Sequence, residues 1–208
     1  MKNKNSVEFN KSILILLGSL MFVLIFLLIY FSIPKINEGI KNVGIGNLPQ
    51  KGDSNAKIKI VEFSDFQCPA CKASHPIIER IFQDYQGEVV LYYRYFPLSM
   101  HKNSFIAAEA AECANEQGKF WEYHDTLFEN QDSLDKENLK KYAKEINLDV
   151  EQFNNCLDNE KYKGVVLADL SDAKKLSLKG TPTFFVNGKE VFGGKEQELR
   201  KLIEEELI

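Results

Sequence analysis

The chain has 208 residues, of which 44% are apolar and 27% charged, values that suit one folded domain with an appendage and exclude disorder throughout. The 26 basic and 30 acidic residues give a net charge of −4. Residues 1–51 contain six lysines and two glutamates, so the remainder carries a net charge of −8. An acidic body excludes nucleic acid as the main partner, because binding phosphates needs a basic face.

An uncharged apolar run occupies residues 13–33. As a helix it would rise about 31 Å, enough to cross a hydrocarbon core of about 30 Å. The run is long for a signal peptide and lacks a small-residue cleavage pattern, so we predict an uncleaved transmembrane signal-anchor, with a cleaved signal peptide as the alternative. The flanking lysines favour a cytoplasmic tail at residues 1–12 and an extracytoplasmic body. Residues 34–56, rich in Gly, Asn and Lys, are predicted to be a linker.

The body, residues 57–208, begins with a βαβ pattern and ends with a ββα pattern. The first two strands are predicted to be parallel with a right-handed crossover, and Asn187-Gly188 predicts a tight hairpin between the last two. The predicted elements are, in chain order, a strand at 57–64, a helix at about 68–85, a strand at 89–96, helices within an insertion at about 100–178, strands at 183–186 and 189–192, and a final helix around Leu199, Leu202 and Ile203.

The sequence Cys68-Pro69-Ala70-Cys71 directly follows the first strand and opens a helix. At a helix N-terminus, unpaired N–H groups and the helix dipole stabilise a thiolate and lower the pKa of the first cysteine. Two intervening residues let the second sulfur reach the first and resolve a mixed disulfide. Half of a zinc site is the alternative, but no second Cys-x-x-Cys or paired histidine follows. We therefore predict a redox-active pair.

Glu62 lies six residues before Cys68, in an apolar part of the first strand. Burial there would raise the pKa of its carboxyl, which could then exchange protons with Cys71 during redox turnover. The alternative is that Glu62 forms an ion pair with Lys57 or Lys59 near the end of the strand. We favour the proton-exchange role, because a carboxylate that breaks a burial pattern is typical of a functional site.

Thr181-Pro182 follows Gly180 and opens the third strand of the body, a position where a cis X–Pro bond can occur, although a trans bond is more common. Together with the strand of Glu62 and the helix that begins at Cys68, this arrangement resembles the thioredoxin fold. The segment at residues 118–125 (GKFWEYHD) resembles the DsbA-like thiol:disulfide oxidoreductases, especially their membrane-anchored members. The expected fold is therefore an α/β thioredoxin fold with a helical insertion between its two halves, plus an N-terminal transmembrane helix.

The resemblance covers about residues 57–208 and implies roles for five residues. No cofactor and no metal are expected. One departure concerns the second intervening residue of the motif: the strong oxidants of the family carry histidine there and this chain has alanine, so a cation beside the first thiolate is missing. The implied site comprises a nucleophilic Cys68, a resolving Cys71, Glu62 in the buried acid position, and Thr181 and Pro182, joined by a cis bond facing Cys68, for binding the substrate backbone.

Cys113 and Cys156 both lie on apolar helical stripes within the predicted insertion. Two cysteines on inward faces of an extracytoplasmic protein are most simply paired, so we predict a structural disulfide between them. The alternative is two buried free thiols that never meet.

The function predicted from these observations is that of a membrane-tethered, monomeric thiol:disulfide oxidoreductase. It would introduce disulfides into reduced or unfolded secreted proteins and be reoxidised by a membrane partner. One alternative within the same chemistry is a disulfide reductase or isomerase. An alternative of another class is a tethered peptide-binding holdase in which Cys68 and Cys71 form a static disulfide.

The three histidines are interpreted as structural residues. His75 lies one helical turn after Cys71 and is expected on an exposed helix face. His101 is expected in a loop. His124, between aromatic residues at helical spacing, is expected to pack on a helix face.

Overall fold

The computed structural model describes residue 17, residues 19–25 and residues 41–208, and the chain divides into two units at about residue 40. Residues 17 and 19–25 are helical. Among the described residues, no helix combines the length and apolar character needed to cross a membrane. The predicted cytoplasmic tail at 1–12 and most of the predicted transmembrane segment at 13–33 lie outside the described residues.

The second unit is built on a mixed five-stranded sheet. Its elements are β1 (Gln50–Lys51), β2 (Ile58–Ser64), α1 (Pro69–Asp84), β3 (Val89–Tyr95), α2 (Ser104–Asn115), α3 (Phe120–Glu129), α4 (Lys136–Glu145), α5 (Val150–Asp158), α6 (Lys163–Lys175), β4 (Thr183–Val186), β5 (Lys189–Phe192) and α7 (Glu196–Leu207). The strand order is β1-β3-β2-β4-β5, with β2 and β3 parallel and the other pairs antiparallel. A βαβ half and a ββα half are therefore separated by helices α2 to α6, as the sequence predicts.

Helices cover both faces of the sheet, because the central strands are apolar on both sides. Alternation along β2 directs Ile60 and Val61 to opposite faces. Ile60 belongs to a buried cluster with Ile78 of α1 and Ile203 of α7. Val61 belongs to a second cluster with Ala173 of α6. Burying each such aliphatic side chain contributes about 1.5–3 kcal/mol, so this packing fixes α1 firmly against the sheet.

The helices of the insertion share an apolar core with Tyr93 and Tyr95 of β3 and with Cys68 and Cys71, and α2 contributes a row of buried alanines to it. Within this core a disulfide joins Cys113 of α2 to Cys156 of α5, with a Cα–Cα distance of 5.9 Å. Cys113 and Cys156, which the sequence predicts to pair, are thus bonded to each other. The free cysteines among the described residues are Cys68 and Cys71.

A buried ion pair connects the insertion to the sheet. The Arg94 side chain on β3 donates to Asp169 of α6 at 2.8 Å, and the Tyr95 backbone N–H donates to the other oxygen of the same carboxylate at 2.8 Å. Both charged side chains are almost completely buried. Each charge neutralises the other in this buried environment. Removing either partner would leave an unpaired buried charge and strongly destabilise the fold.

Residues 34–56 are predicted to be a linker, but the described part of this segment, residues 41–56, packs against the sheet. In this segment β1 pairs antiparallel with β3, and Val43 and Leu48 pack on the sheet cluster that contains Val61. Gly52 has a φ of 102°, and a Cβ at this position would lie 2.8 Å from the backbone oxygen of Val89. The apolar residues are too sparse and the strand too short to produce a periodic pattern, so sequence analysis could not find this edge strand.

The Cys113–Cys156 disulfide closes a segment with a sequence separation of 43. Loop closure of this size is worth about 4 kcal/mol on the chain-entropy relation. We therefore expect the Cys113→Ala/Cys156→Ala variant to lose up to about 4 kcal/mol of unfolding free energy, measured by denaturant titration. Alkylation of Cys68 in the same variant should keep its wild-type rate, and a large loss of that rate would show that the bridge also shapes the redox centre.

Candidate active site

Cys68 lies at the N-cap of α1, where the loop after β2 turns into the helix. Pro69 takes the first helical position, where its missing N–H sacrifices no hydrogen bond. No side chain caps this helix end, and the backbone N–H groups of Ala70 and Cys71 contribute to lowering the pKa of the Cys68 thiol. The sulfur therefore lies where the start of α1 favours negative charge.

The second element of the site is the turn before β4. The Thr181–Pro182 bond is cis, and the Cys68 Sγ lies 3.6 Å from the carbonyl oxygen of Thr181. Thr183 then begins β4. The structure thus brings together the residues of two predicted motifs that are more than a hundred positions apart in the sequence.

The two thiols have opposite environments. Cys68 is 6% exposed, whereas Cys71 is fully buried one turn inside the helix. A hydrogen bond from the Cys71 thiol, with further donors at the start of the helix, lowers the pKa of Cys68 to about 5. Burial, together with that same hydrogen bond, raises the pKa of Cys71 far above its ordinary value. At neutral pH the reduced site therefore holds a thiolate on Cys68 and a thiol on Cys71.

Glu62 lies on the same face of β2 as Ile60, the face that α1 covers. It is 4% exposed, and its neighbour on β3 is the buried Tyr93. Burial raises the pKa of the Glu62 carboxyl to about 7. An ionised Glu62 raises the pKa of Cys71 further, because its negative charge disfavours the thiolate. Lys57 does not neutralise Glu62, since its ammonium donates to the backbone oxygen of Leu207.

Sequence analysis missed one residue that holds the redox loop, residues 65–68 between β2 and α1, in place. The side-chain amide of Gln131, between α3 and α4, donates to the backbone oxygens of Phe66 and Cys68, both at 2.9 Å. Gln131 is itself buried. A single glutamine in a helical connection carries no sequence signal, because its role depends on two carbonyls about sixty residues away.

His101 and Asp65 form a second support beside this loop. The His101 Nδ1 lies 2.7 Å from Asp65 Oδ2, and that oxygen also accepts a hydrogen bond from the backbone N–H of Leu98. The other Asp65 oxygen accepts from the Gln67 N–H, directly before the redox motif. His101, expected only as a loop residue, therefore helps to order the segment that leads into Cys68.

Comparison with known proteins agrees with this geometry. Residues 47–205 match a family model described as thioredoxin. The chain belongs to the thioredoxin family. It is 30% identical over 213 residues to the probable disulfide bond formation protein D of Bacillus anthracis, a match that spans 97% of this chain and 94% of that protein. The crystal structure of oxidised BdbD from Bacillus subtilis superposes with a TM-score of 0.72 at 30% identity, covering 79% of this chain and 95% of that one.

A further relative is a much longer protein. Over 144 residues the chain is 40% identical to the Na⁺/H⁺ antiporter NhaA 3 of Salinispora tropica, and this match spans 69% of the chain but only 22% of the antiporter. The chain thus spans less than a quarter of that relative. Among these relatives, the one matched along nearly the whole chain is named for disulfide bond formation.

The raised pKa of Glu62 predicts a dependence of stability on pH. The folded carboxyl binds its proton up to about pH 7 and the unfolded one only to about pH 4.5, so the folded state loses stability as the pH rises between these values. The loss is about 3 kcal/mol, from about 1.4 kcal/mol per pKa unit. The side chain of the Glu62→Gln variant cannot ionise, so this variant should not show that loss of stability.

We therefore expect the unfolding free energy of Glu62→Gln, relative to that of the wild type, to be about 3 kcal/mol higher at about pH 8 than at about pH 4. Denaturant unfolding at both pH values measures this difference. The matched control is Glu122→Gln on an exposed position of α3, which should follow the wild type at both. A constant difference between Glu62→Gln and wild type across this range would mean that Glu62 ionises normally in the fold.

Proposed function

We propose that this protein is an extracytoplasmic protein disulfide oxidase, in which the Cys68–Cys71 disulfide accepts electrons from the thiols of secreted proteins. The observation that carries the proposal is the position of the Cys68 sulfur at the uncapped start of α1 beside the cis Thr181–Pro182 turn, where the pKa of its thiol falls to about 5 from an ordinary 9.0. A thiolate stabilised in the reduced form makes the corresponding disulfide easier to reduce, and therefore a stronger oxidant. This stabilisation comes from the helix start and from Cys71, so it does not require a histidine at position 70.

The reaction proceeds through one mixed disulfide. A substrate thiolate attacks the Cys68 sulfur, forming a new S–S bond, and the bond to Cys71 breaks. Cys71 leaves as a thiolate in a buried site that disfavours its charge, and it takes up a proton, for which Glu62 with a pKa of about 7 is a suitable donor. A second substrate thiolate then attacks the substrate sulfur and releases Cys68 as a stable thiolate. Two electrons thereby pass from two substrate thiols to the cysteine pair.

Substrate binding is assigned to the turn at Thr181 and Pro182. The Thr181 carbonyl oxygen already faces the Cys68 sulfur, so an extended substrate segment that pairs with this backbone would present its own cysteine to Cys68. Backbone pairing is independent of substrate sequence, which suits an enzyme that acts on many unfolded chains.

The proposed location is the outer side of a membrane, with residues 13–33 as a single-pass anchor and a membrane protein as the reoxidising partner. The uncharged run at 13–33 and the lysines around it support the anchor and its orientation. The Cys113–Cys156 disulfide supports an oxidising compartment, because such bonds are rare in the cytosol. Tethering would keep the cysteine pair close to its partner and raise the local concentration of each for the other.

The direction of electron flow can be tested by equilibrating the detergent-solubilised full chain with mixtures of reduced and oxidised glutathione. We expect a reduction potential above about −180 mV, on the side of the oxidant DsbA at about −120 mV. The Cys113→Ala/Cys156→Ala variant is the matched control and should give the same potential. A value near the −270 mV of thioredoxin would overturn the oxidase proposal and favour a reductase.

The roles of the two cysteines and the location can be tested together in cells. Full-length Cys71→Ser should accumulate mixed disulfides with exported proteins through Cys68, because the resolving thiol is absent. These complexes should be found in the membrane fraction and be degraded when protease is added outside the cytoplasm. Equal trapping by Cys68→Ser would contradict the assignment of roles, and complexes with cytoplasmic proteins would contradict the location.

A further inference from the structure

Two histidines and one aspartate from different helices converge beside the redox helix. His75 belongs to α1, and His124 and Asp125 belong to α3. Asp125 Oδ1 lies 2.8 Å from His124 Nδ1 and 3.5 Å from His75 Nε2. One donor atom from each of the three residues lies within 4.8 Å of the other two. Two ring nitrogens and one carboxylate oxygen therefore lie close together in one small region beside α1.

The donor set and the spacing suit a transition metal ion. Two imidazoles and a carboxylate form a set that zinc uses in proteins, usually with water as a fourth ligand. Ligands about 2.1 Å from a tetrahedral zinc ion are about 3.4 Å from one another. The distance of 3.5 Å between Asp125 and His75 fits this value, and it is at the outer edge for a direct hydrogen bond. The 2.8 Å distance from Asp125 to His124 needs a small outward movement of the exposed carboxylate.

Apolar packing holds both imidazoles in place. The His75 ring stacks on Phe128 with centroids 5.5 Å apart, and the two histidine rings are 5.1 Å apart in an edge-on arrangement. His124 is buried among aromatic rings, including Trp121. Burial of this kind disfavours the charged imidazolium, and a metal requires the neutral ring. The nitrogens are therefore preoriented before any ion arrives.

The cluster is open to solvent on one side. The side chains of His75 and Asp125 are 23% and 45% exposed, so an ion has a path to the donors and room for a water ligand. Lys51 is the lysine whose charge acts on Asp125, and its ammonium donates to both oxygens of Glu79 at 2.7 and 2.8 Å. The charge of the Lys51–Glu79 pair is balanced, and it leaves the Asp125 carboxylate available to an ion.

We propose that His75, His124 and Asp125 form a binding site for a divalent transition metal ion of the zinc type. The ion joins α1, which carries the cysteine pair, to α3 of the insertion. It stabilises the contact between the βαβ half and the helical insertion and takes no part in the electron transfer at Cys68. The site discriminates against Mg²⁺ and Ca²⁺, because these hard cations require oxygen ligands.

The test uses Zn²⁺ and Co²⁺ as probes with the full chain in its oxidised form, free of affinity tags. The Cys68–Cys71 disulfide then prevents thiolates from binding the metal. We expect one equivalent of Zn²⁺ in competition with a chromogenic chelator, visible Co²⁺ absorption bands of a four-coordinate site, and a higher unfolding temperature with Zn²⁺. Mg²⁺ and Ca²⁺ should produce none of these effects.

The variants His75→Ala and Asp125→Asn remove ligands from partly exposed positions, so folding should survive, which unfolding without metal verifies. Losing only an outer-shell partner costs about 10–100-fold in metal affinity, so each variant should weaken Zn²⁺ binding by more than about tenfold. His101→Ala, which removes a histidine from the separate pair with Asp65, is the matched control and should bind as wild type. Wild-type affinity in His75→Ala and Asp125→Asn, or an equal loss in His101→Ala, would overturn the proposal.

Discussion

The meeting of the α1 N-terminus with the Thr181–Pro182 turn is the contact on which the rest of the structure depends. It places the Cys68 sulfur against the Thr181 carbonyl oxygen, with free backbone donors behind it. A thiolate at this position is stabilised by the backbone donors at the start of α1, whose orientation the helix fixes in advance. The sheet packing that fixes α1 and β4 relative to each other therefore determines the chemistry of the cysteine.

Burial gives two chemically identical side chains, those of Cys68 and Cys71, different pKa values. Cys71 is only three residues from Cys68, yet it lies fully inside the protein, above the sheet face that carries Glu62. Desolvation raises the pKa values of Cys71 and Glu62, while the hydrogen bond from the Cys71 thiol and the backbone donors at the helix start lower the pKa of Cys68. The asymmetry between a thiolate at the helix start and a thiol one turn deeper thus follows from their positions in the fold.

The insertion supports this centre from outside. Gln131 binds the backbone of the redox loop, Arg94 and Asp169 connect the insertion to the sheet, and the Cys113–Cys156 disulfide braces its helices. Each of these contacts joins elements that are far apart in the chain. Together they limit the motion of the helices around Cys68 without contacting its sulfur.

The sequence by itself determined that a βαβ half precedes a ββα half, the order of the main elements and the presence of a Cys-x-x-Cys motif at a helix start. These features depend on local signals: apolar runs, helical periodicity, the Asn187-Gly188 hairpin and a Cys-x-x-Cys motif at a helix start. Only the tertiary structure decided the role of Gln131, the pairing of β1 with β3, and the convergence of His75 with His124. The partners in these contacts are tens of residues apart in the chain, and such contacts produce no recognisable pattern in the sequence. Sequence fixes which side chains can react, and the packing of distant segments decides which of them meet.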